Sequence, residues 1–226
     1  MSTETWTVQR ILDSTTDYLR THGSESPRLE AEILLAHSRG CRRIELYTRY
    51  AEELTDTERT TMRELVRRRA KAEPVAYLVG HREFYALDFQ VTTDVLVPRP
   101  ETETLVLGLL DRADRKQPGR VLDLGTGSGC IAVTVAVNWP LAAVTAVDLS
   151  PAAAEVARRN AKQHKVEDRL EVLVGDLYEP LPAQSRFDFI ASNPPYIRTD
   201  EMAGLPADVA GYEPHLALEG GTDGMD

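Results

Sequence analysis

Val121-Leu122-Asp123-Leu124-Gly125-Thr126-Gly127-Ser128-Gly129 is the stretch on which the fold of this 226-residue chain turns. Its first four residues read as the end of a short buried strand, and CIAVTVAVN, directly after it, reads as an apolar helix. Three glycines in between supply backbone conformations that other residues avoid, and they bring N–H groups up to a ligand with no side chain in the way. Such a loop at the C-terminal end of a parallel strand lies where open α/β sheets bind ligands. It is not a Walker-type phosphate loop, because no lysine follows Gly129.

Downstream the alternation continues with strand AAVTAVDLS, helix PAAAEVARRNAKQH, strand LEVLVGDL and strand FDFIASNPP. This order predicts an α/β fold, a Rossmann-like parallel sheet with helices on both faces. The text ends at GGTDGMD without a recognisable fifth strand. We therefore expect a C-terminally shortened chain whose last strand has an uncovered edge.

Upstream, residues 1–73 read as a small helical bundle. TVQRILDSTTDYLRTHG sets Val8, Ile11, Leu12 and Leu19 near one face and stops at Gly23. SPRLEAEILLAHSRG has Ser26 as N-cap, Pro27 at the first helical position and Gly40 as terminator. After the short RRIELYTRY, a capping box of Thr55 and Glu58 opens a helix that runs to Pro74. In EFYALDFQV, aromatic and β-branched residues predict two short paired strands, and Pro98 and Pro100 block regular structure before a helix near Thr102. The resulting organisation is a helical domain at 1–73, a β-hairpin linker at 74–100 and the α/β domain at 101–226.

Composition narrows the function classes. There are 26 basic and 36 acidic residues, a net charge of −10, which weighs against gripping nucleic acid by neutralising phosphates. The basic stretch ERTTMRELVRRRAKAE reads as a solvated helix face. Two distant cysteines, Cys41 and Cys130, offer neither a disulfide framework nor a thiolate metal site, and five scattered histidines show no ligand spacing, so no metal is expected. Without a signal peptide or a membrane-length apolar run, the chain reads as soluble and cytoplasmic.

The acids at the strand ends carry the ligand chemistry. Asp148, about 20 residues past the glycine loop, is placed to take both hydroxyls of a ribose, an arrangement that serves dinucleotides and S-adenosylmethionine alike. Asp123 separates the two: a carboxylate there suits a ligand with an ammonium and a sulfonium and repels a pyrophosphate. Asp176 and Leu177, at the end of the third strand, are expected to flank an adenine. Cys130 reads as a small apolar residue beneath the loop.

On the same rim lies Ser192-Asn193-Pro194-Pro195-Tyr196. A conjugated –NH2 is a poor nucleophile, and methylating it requires holding its lone pair toward the methyl donor. The Asn193 side-chain oxygen and the Pro194 carbonyl can each accept one N–H, while Pro195, which has no N–H, leaves that carbonyl free of local competition. Tyr196 can cover the planar group by stacking. Alignment and preorganisation would then dominate, with no strong base required. A glutamine amide and an adenine amine both satisfy this logic.

DLGTGSG at 123–129, Asp148 and NPPY at 193–196 resemble class I S-adenosylmethionine-dependent methyltransferases acting on amide or amino nitrogens. The chain more closely resembles the HemK-type glutamine-N5 methyltransferases of peptide chain release factors. That resemblance rests also on LEAEILLAHSRG, RRRAKAEPVAYLVGHREFYALDFQV, VLVPRPETETLV and YEPHLALEGGTDGMD. It implies a helical domain that helps bind the release factor, a hairpin linker and a methyltransferase domain, acting as a monomer. It implies that Gly125, Thr126, Gly127, Ser128 and Gly129 line the cofactor, with Asp148 on the ribose and Asp176 and Leu177 at the adenine. Asn193, Pro194, Pro195 and Tyr196 would hold the glutamine of a Gly-Gly-Gln loop, with Asn193 also bordering the cofactor, and RPETE at 99–103 would wall the site. Rival readings are a glutamine methyltransferase for a ribosomal protein, an adenine-N6 nucleic-acid methyltransferase, and a shortened binding module without turnover.

Overall fold

A computed structural model describes residues 5–225. The chain divides into two compact units, Met1–Val79 and Gly80–Asp226.

The first unit is helical. α1 (Val8–Thr21) opens at Thr7, whose hydroxyl accepts from the Arg10 N–H. α2 (Pro27–Arg39) begins with proline and closes at Gly40, whose φ of 60° is the left-handed geometry that glycine adopts without steric cost. Ser26 stands at the N-cap position, but its side chain makes no capping bond. α3 (Arg43–Thr48) is followed by α4 (Asp56–Arg69), which carries the expected box: Glu58 N–H donates to Thr55 Oγ1 and Thr55 N–H donates to Glu58 Oε2. A further helix, α5 (Val75–Val79), lies beyond the 73/74 boundary read from the sequence. Its Leu78 and Val79 share a core with Val8, Leu12, Leu34, Leu35 and Leu46, so this unit continues past Pro74.

The second unit starts with an antiparallel hairpin, β1 (His81–Phe84) and β2 (Leu87–Gln90), with Phe84 opposite Leu87. Its two turn residues, Tyr85 and Ala86, have φ of 51° and 57° without being glycine. The Tyr85 N–H donates to Glu103 Oε1 at 2.9 Å, a bond that holds this costly turn. α6 (Thr102–Arg112) leads into β3 (Gly119–Leu124), α7 (Cys130–Asn138), β4 (Ala142–Asp148), α8 (Pro151–Gln163), β5 (Leu170–Val174) and β6 (Phe189–Ser192). The four later strands form one parallel sheet in the order β5-β4-β3-β6. A last helix, α9 (Ala207–Tyr212), is flanked by two short 3-10 turns.

Helices do not cover both faces as the alternation predicts. Val106 and Leu110 of α6, Ile131, Val133 and Val135 of α7, and Ala154 and Ala157 of α8 join one core with Val121, Val144 and Leu170. On the other face, among the described residues, Leu122, Leu124 and Val147 form a small cluster against Leu173, Leu181 and Phe187. Handedness explains this: β3→β4 and β4→β5 step in the same direction, so their right-handed crossovers put α7 and α8 on the same side. The reversed step, β5→β6, would put a helix on the opposite side, but it consists of turns.

Candidate active site

Register brings the predicted loops to one rim. Leu124 lies opposite Val147 and Ser192, and Asp148 lies opposite Val174, so four strands end side by side. Strand β3 stands where the winding reverses, the usual ligand position in open α/β sheets.

The loop after β3 is held from outside and from beneath. Gly125, Gly127 and Gly129 have φ of 67°, 55° and 79°. The N–H groups of Gly125 and Thr126 both donate to the Val147 carbonyl, at 2.9 and 3.0 Å. Asp148 ties the second loop to the first, accepting from Gly127 N–H at 2.7 Å and from Ser150 N–H at 2.9 Å. At Gly129, the N-cap of α7, a Cβ would come within 3.1 Å of the Ala157 Cβ. Glycine there lets α7 and α8 pack closely.

A cavity of about 450 Å³ opens at this rim. Gly125, Thr126, Gly127 and Ser128 form one side, Asp148, Asp176 and Leu177 another, and Asn193, Pro194 and Pro195 a third. These residues, predicted from separate motifs, surround one space. Leu149, Leu216 and Ala217 also line it. Leu149 could have been found from its place just past a strand end, whereas nothing in the sequence signals Leu216 or Ala217.

Three predicted residues stand elsewhere. Asp123 is completely buried and does not line the cavity: its Oδ2 accepts from Thr126 Oγ1 at 2.6 Å and from Ala132 N–H at 3.2 Å. It braces the glycine loop from below, on the α7 side of β3. Gly129 lies behind the lining, against α8. Tyr196 is 70% exposed and outside the cavity wall.

The charge that Asp123 was expected to bring comes from other groups. Asp94, Asp148, Asp176 and Glu219 line the cavity. Arg99, the one cation among the described lining residues, is engaged: its Nη2 donates to both oxygens of Glu213, at 2.7 and 2.8 Å. Burial raises the pKa of the Glu213 carboxyl, and the Arg99 charge opposes that rise. The cavity therefore favours a cation. Cys130 borders it as well, but burial pushes its thiol to about 12, so it stays protonated and inert.

The RPETE segment lies against this site. Thr102, at the first position of α6, lines the cavity and accepts from Asn193 Nδ2 at 3.3 Å. Below NPPY, the Ile197 N–H donates to the Leu218 carbonyl and the Gly220 N–H to the Ile197 carbonyl. A Cβ at Gly220 would lie 2.8 Å from the Pro195 oxygen. No cluster able to hold a metal ion occurs among the described residues.

Comparison with known proteins shows similarity along nearly the full chain. Residues 10–80 match the family model described as the PrmC N-terminal domain, and residues 102–205 match the methyltransferase small domain. A release factor glutamine methyltransferase from Rhodopirellula baltica is 51% identical over 226 residues, spanning 98% of this chain and 76% of that one. A protein of the same name from Geobacter sulfurreducens is 47% identical over 223 residues, spanning 99% of this chain and 77% of its own. Among solved structures, the hMettl16 catalytic domain in complex with MAT2A 3′UTR hairpin 6 aligns with a TM-score of 0.50. It is 18% identical, covers 71% of this chain and 58% of its own, and shares the fold alone.

Proposed function

The chain belongs to the release factor glutamine methyltransferases, and from that premise we propose that it transfers a methyl group from S-adenosylmethionine to the N5 nitrogen of the glutamine in a release factor's Gly-Gly-Gln loop. The observation that carries the reading is one cavity lined both by a ribose-type carboxylate, Asp148, and by the Asn193-Pro194 pair of amide acceptors.

The residues present suit S-adenosylmethionine. Asp148 already accepts two backbone N–H bonds and stands at the rim, where a diol would meet its carboxylate oxygens. Leu149 and Leu177 supply apolar walls for an adenine, with Asp176 beside them. Four lining carboxylates against one neutralised arginine match a cationic ligand. When bound, S-adenosylmethionine supplies an electrophilic methyl group.

The remaining work falls to the chain. Asn193 Oδ1 and the Pro194 carbonyl accept the two N–H bonds of the glutamine amide and turn its lone pair toward the donor. As positive charge develops on that nitrogen, the two oriented dipoles stabilise it without reorganising. Among the described residues no backbone N–H donates to the Pro194 carbonyl, which leaves it free for the substrate. The exposed ring of Tyr196 is available to cover the amide of an incoming loop. The helical unit Met1–Val79 contributes to binding the release factor, and the enzyme acts as a monomer in the cytoplasm.

Labelled methyl transfer to purified release factor tests the reading. Counts should enter the wild-type factor and not a variant with alanine in place of the Gly-Gly-Gln glutamine. Labelling of a ribosomal protein or of DNA in preference to the release factor would overturn it.

A further inference from the structure

Among the described residues β2 pairs with β1 alone, and side chains at the end of α8 meet the backbone groups of Asp88 and Gln90. Gln163 Nε2 donates to the Asp88 carbonyl at 2.6 Å, and His164, just past the helix, donates to it from Nε2 at 2.7 Å. Asn160 takes both groups of Gln90. Its Oδ1 accepts the Gln90 N–H at 2.8 Å and its Nδ2 donates to the Gln90 carbonyl at 3.0 Å. An N–H can only donate and a carbonyl can only accept, so this pair fixes which end of the amide is which.

Of these three residues, Asn160 alone also reaches the glycine loop. Its Nδ2 donates to the Ser128 carbonyl at 2.8 Å, and the side chain is completely buried. The Ser128–Gly129 peptide is thereby held at both ends, because the Gly129 N–H donates to the Thr126 carbonyl at 2.8 Å. Ser128 itself lines the cavity.

We propose that Asn160 is a positioning residue for cofactor binding: it holds the glycine loop in its binding form and ties that loop to the hairpin. Asn160 stands outside the cavity lining and acts through the Ser128 carbonyl. A loop already ordered needs no further ordering when a ligand enters, and affinity gains by that difference. Without its donor, the buried carbonyl would turn the peptide toward another partner and disturb the loop that meets the ligand. The proposal rests on the reading of the cavity as the S-adenosylmethionine site and is independent of the methyl acceptor.

Calorimetry with S-adenosylhomocysteine, on full chains shown to be folded by circular dichroism, compares Asn160→Ala with a control. The control combines Gln163→Ala with His164→Ala, which removes the hairpin ties through Asp88 and leaves the Ser128 carbonyl bonded. Asn160→Ala should weaken Kd about tenfold, the effect of one lost buried hydrogen bond, with the control within about twofold of wild type. Equal weakening in both would make Asn160 a general strut of the hairpin and overturn the proposal. An Asn160→Ala affinity within about twofold of wild type would overturn it too. Hydrogen exchange on the wild-type chain tests the same tie without a substitution. Adding S-adenosylhomocysteine should slow exchange of the Gln90 N–H more than that of its hairpin neighbour Phe89. Slowing at Gln90 no greater than at Phe89 would also overturn the proposal. A wild-type chain that binds no S-adenosylhomocysteine removes the cofactor reading itself, whereas equal binding by wild type and Asn160→Ala removes only the role of Asn160.

Discussion

Asp123 sits in the interior with Oδ2 taking two hydrogen bonds and Oδ1 taking none. Burial pushes its pKa up to about 7, against the weaker pull of the bonds from Thr126 and Ala132. The sign of the linkage follows. A carboxyl whose folded-state pKa is raised gives its full stability below its unfolded value, near 3.8, and loses it as pH rises through about 7. Asp123→Asn should therefore gain stability over wild type at about pH 8 relative to about pH 5, measured as the difference in unfolding midpoint. An equal difference at the two pH values would contradict the protonated interior acid. Asp148, by contrast, lines the cavity, and the proposed function gives it the ribose. Asp148→Ala should weaken S-adenosylhomocysteine binding roughly 100-fold, the loss of two charge-assisted hydrogen bonds, and calorimetry giving less than about a threefold change would contradict it. Spacing alone made Asp148 legible, because strand length and loop length set where a strand-end acid stands. The burial of Asp123 was not legible, because the face of a strand on which a carboxylate points depends on the helix packed there, and no local pattern states it.

Between elements, the long-range ties around NPPY matter most. Glu213, 2% exposed at its side chain, is held by Arg99 from a segment more than a hundred residues earlier. Arg99→Met would leave that acid buried and alone, at a cost of about 3 kcal/mol, while adding Glu213→Leu should recover most of the loss. Urea unfolding of both variants checks this; equal stability of the single and double variants would contradict it. Gly220→Ala would press a Cβ against the Pro195 carbonyl, so we expect kcat to fall while cofactor Kd holds within about twofold. A matching fall in cofactor affinity would instead implicate the whole rim. Strands and long helices were legible because their periodicity is local. Helix α5 and the bracing of NPPY by 218–224 were not, since short helices and loop contacts arise from tertiary packing. The hairpin was legible as two paired strands, but its turn lacks glycine and is held instead by Glu103.

At the scale of the molecule, a helical unit and a parallel-sheet unit each have their own core. Among the described residues no helix is long and apolar enough to cross a membrane, and the net charge is −10. An acidic enzyme with an acidic cavity should bind a cationic cofactor and a protein loop better than a polyanion. The order of motifs along the sequence made this architecture legible. The covering of only one sheet face by helices was not, because it depends on the direction in which each crossover steps. In the proposed reaction Asn193 and Pro194 direct the methyl group to one amide nitrogen. Mass spectrometry of a release factor incubated with the chain and S-adenosylmethionine tests it most directly. A gain of about 14 Da is expected, confined to the Gly-Gly-Gln peptide and lost in Asn193→Ala. A methyl group on another residue, or one that persists in Asn193→Ala, would contradict it.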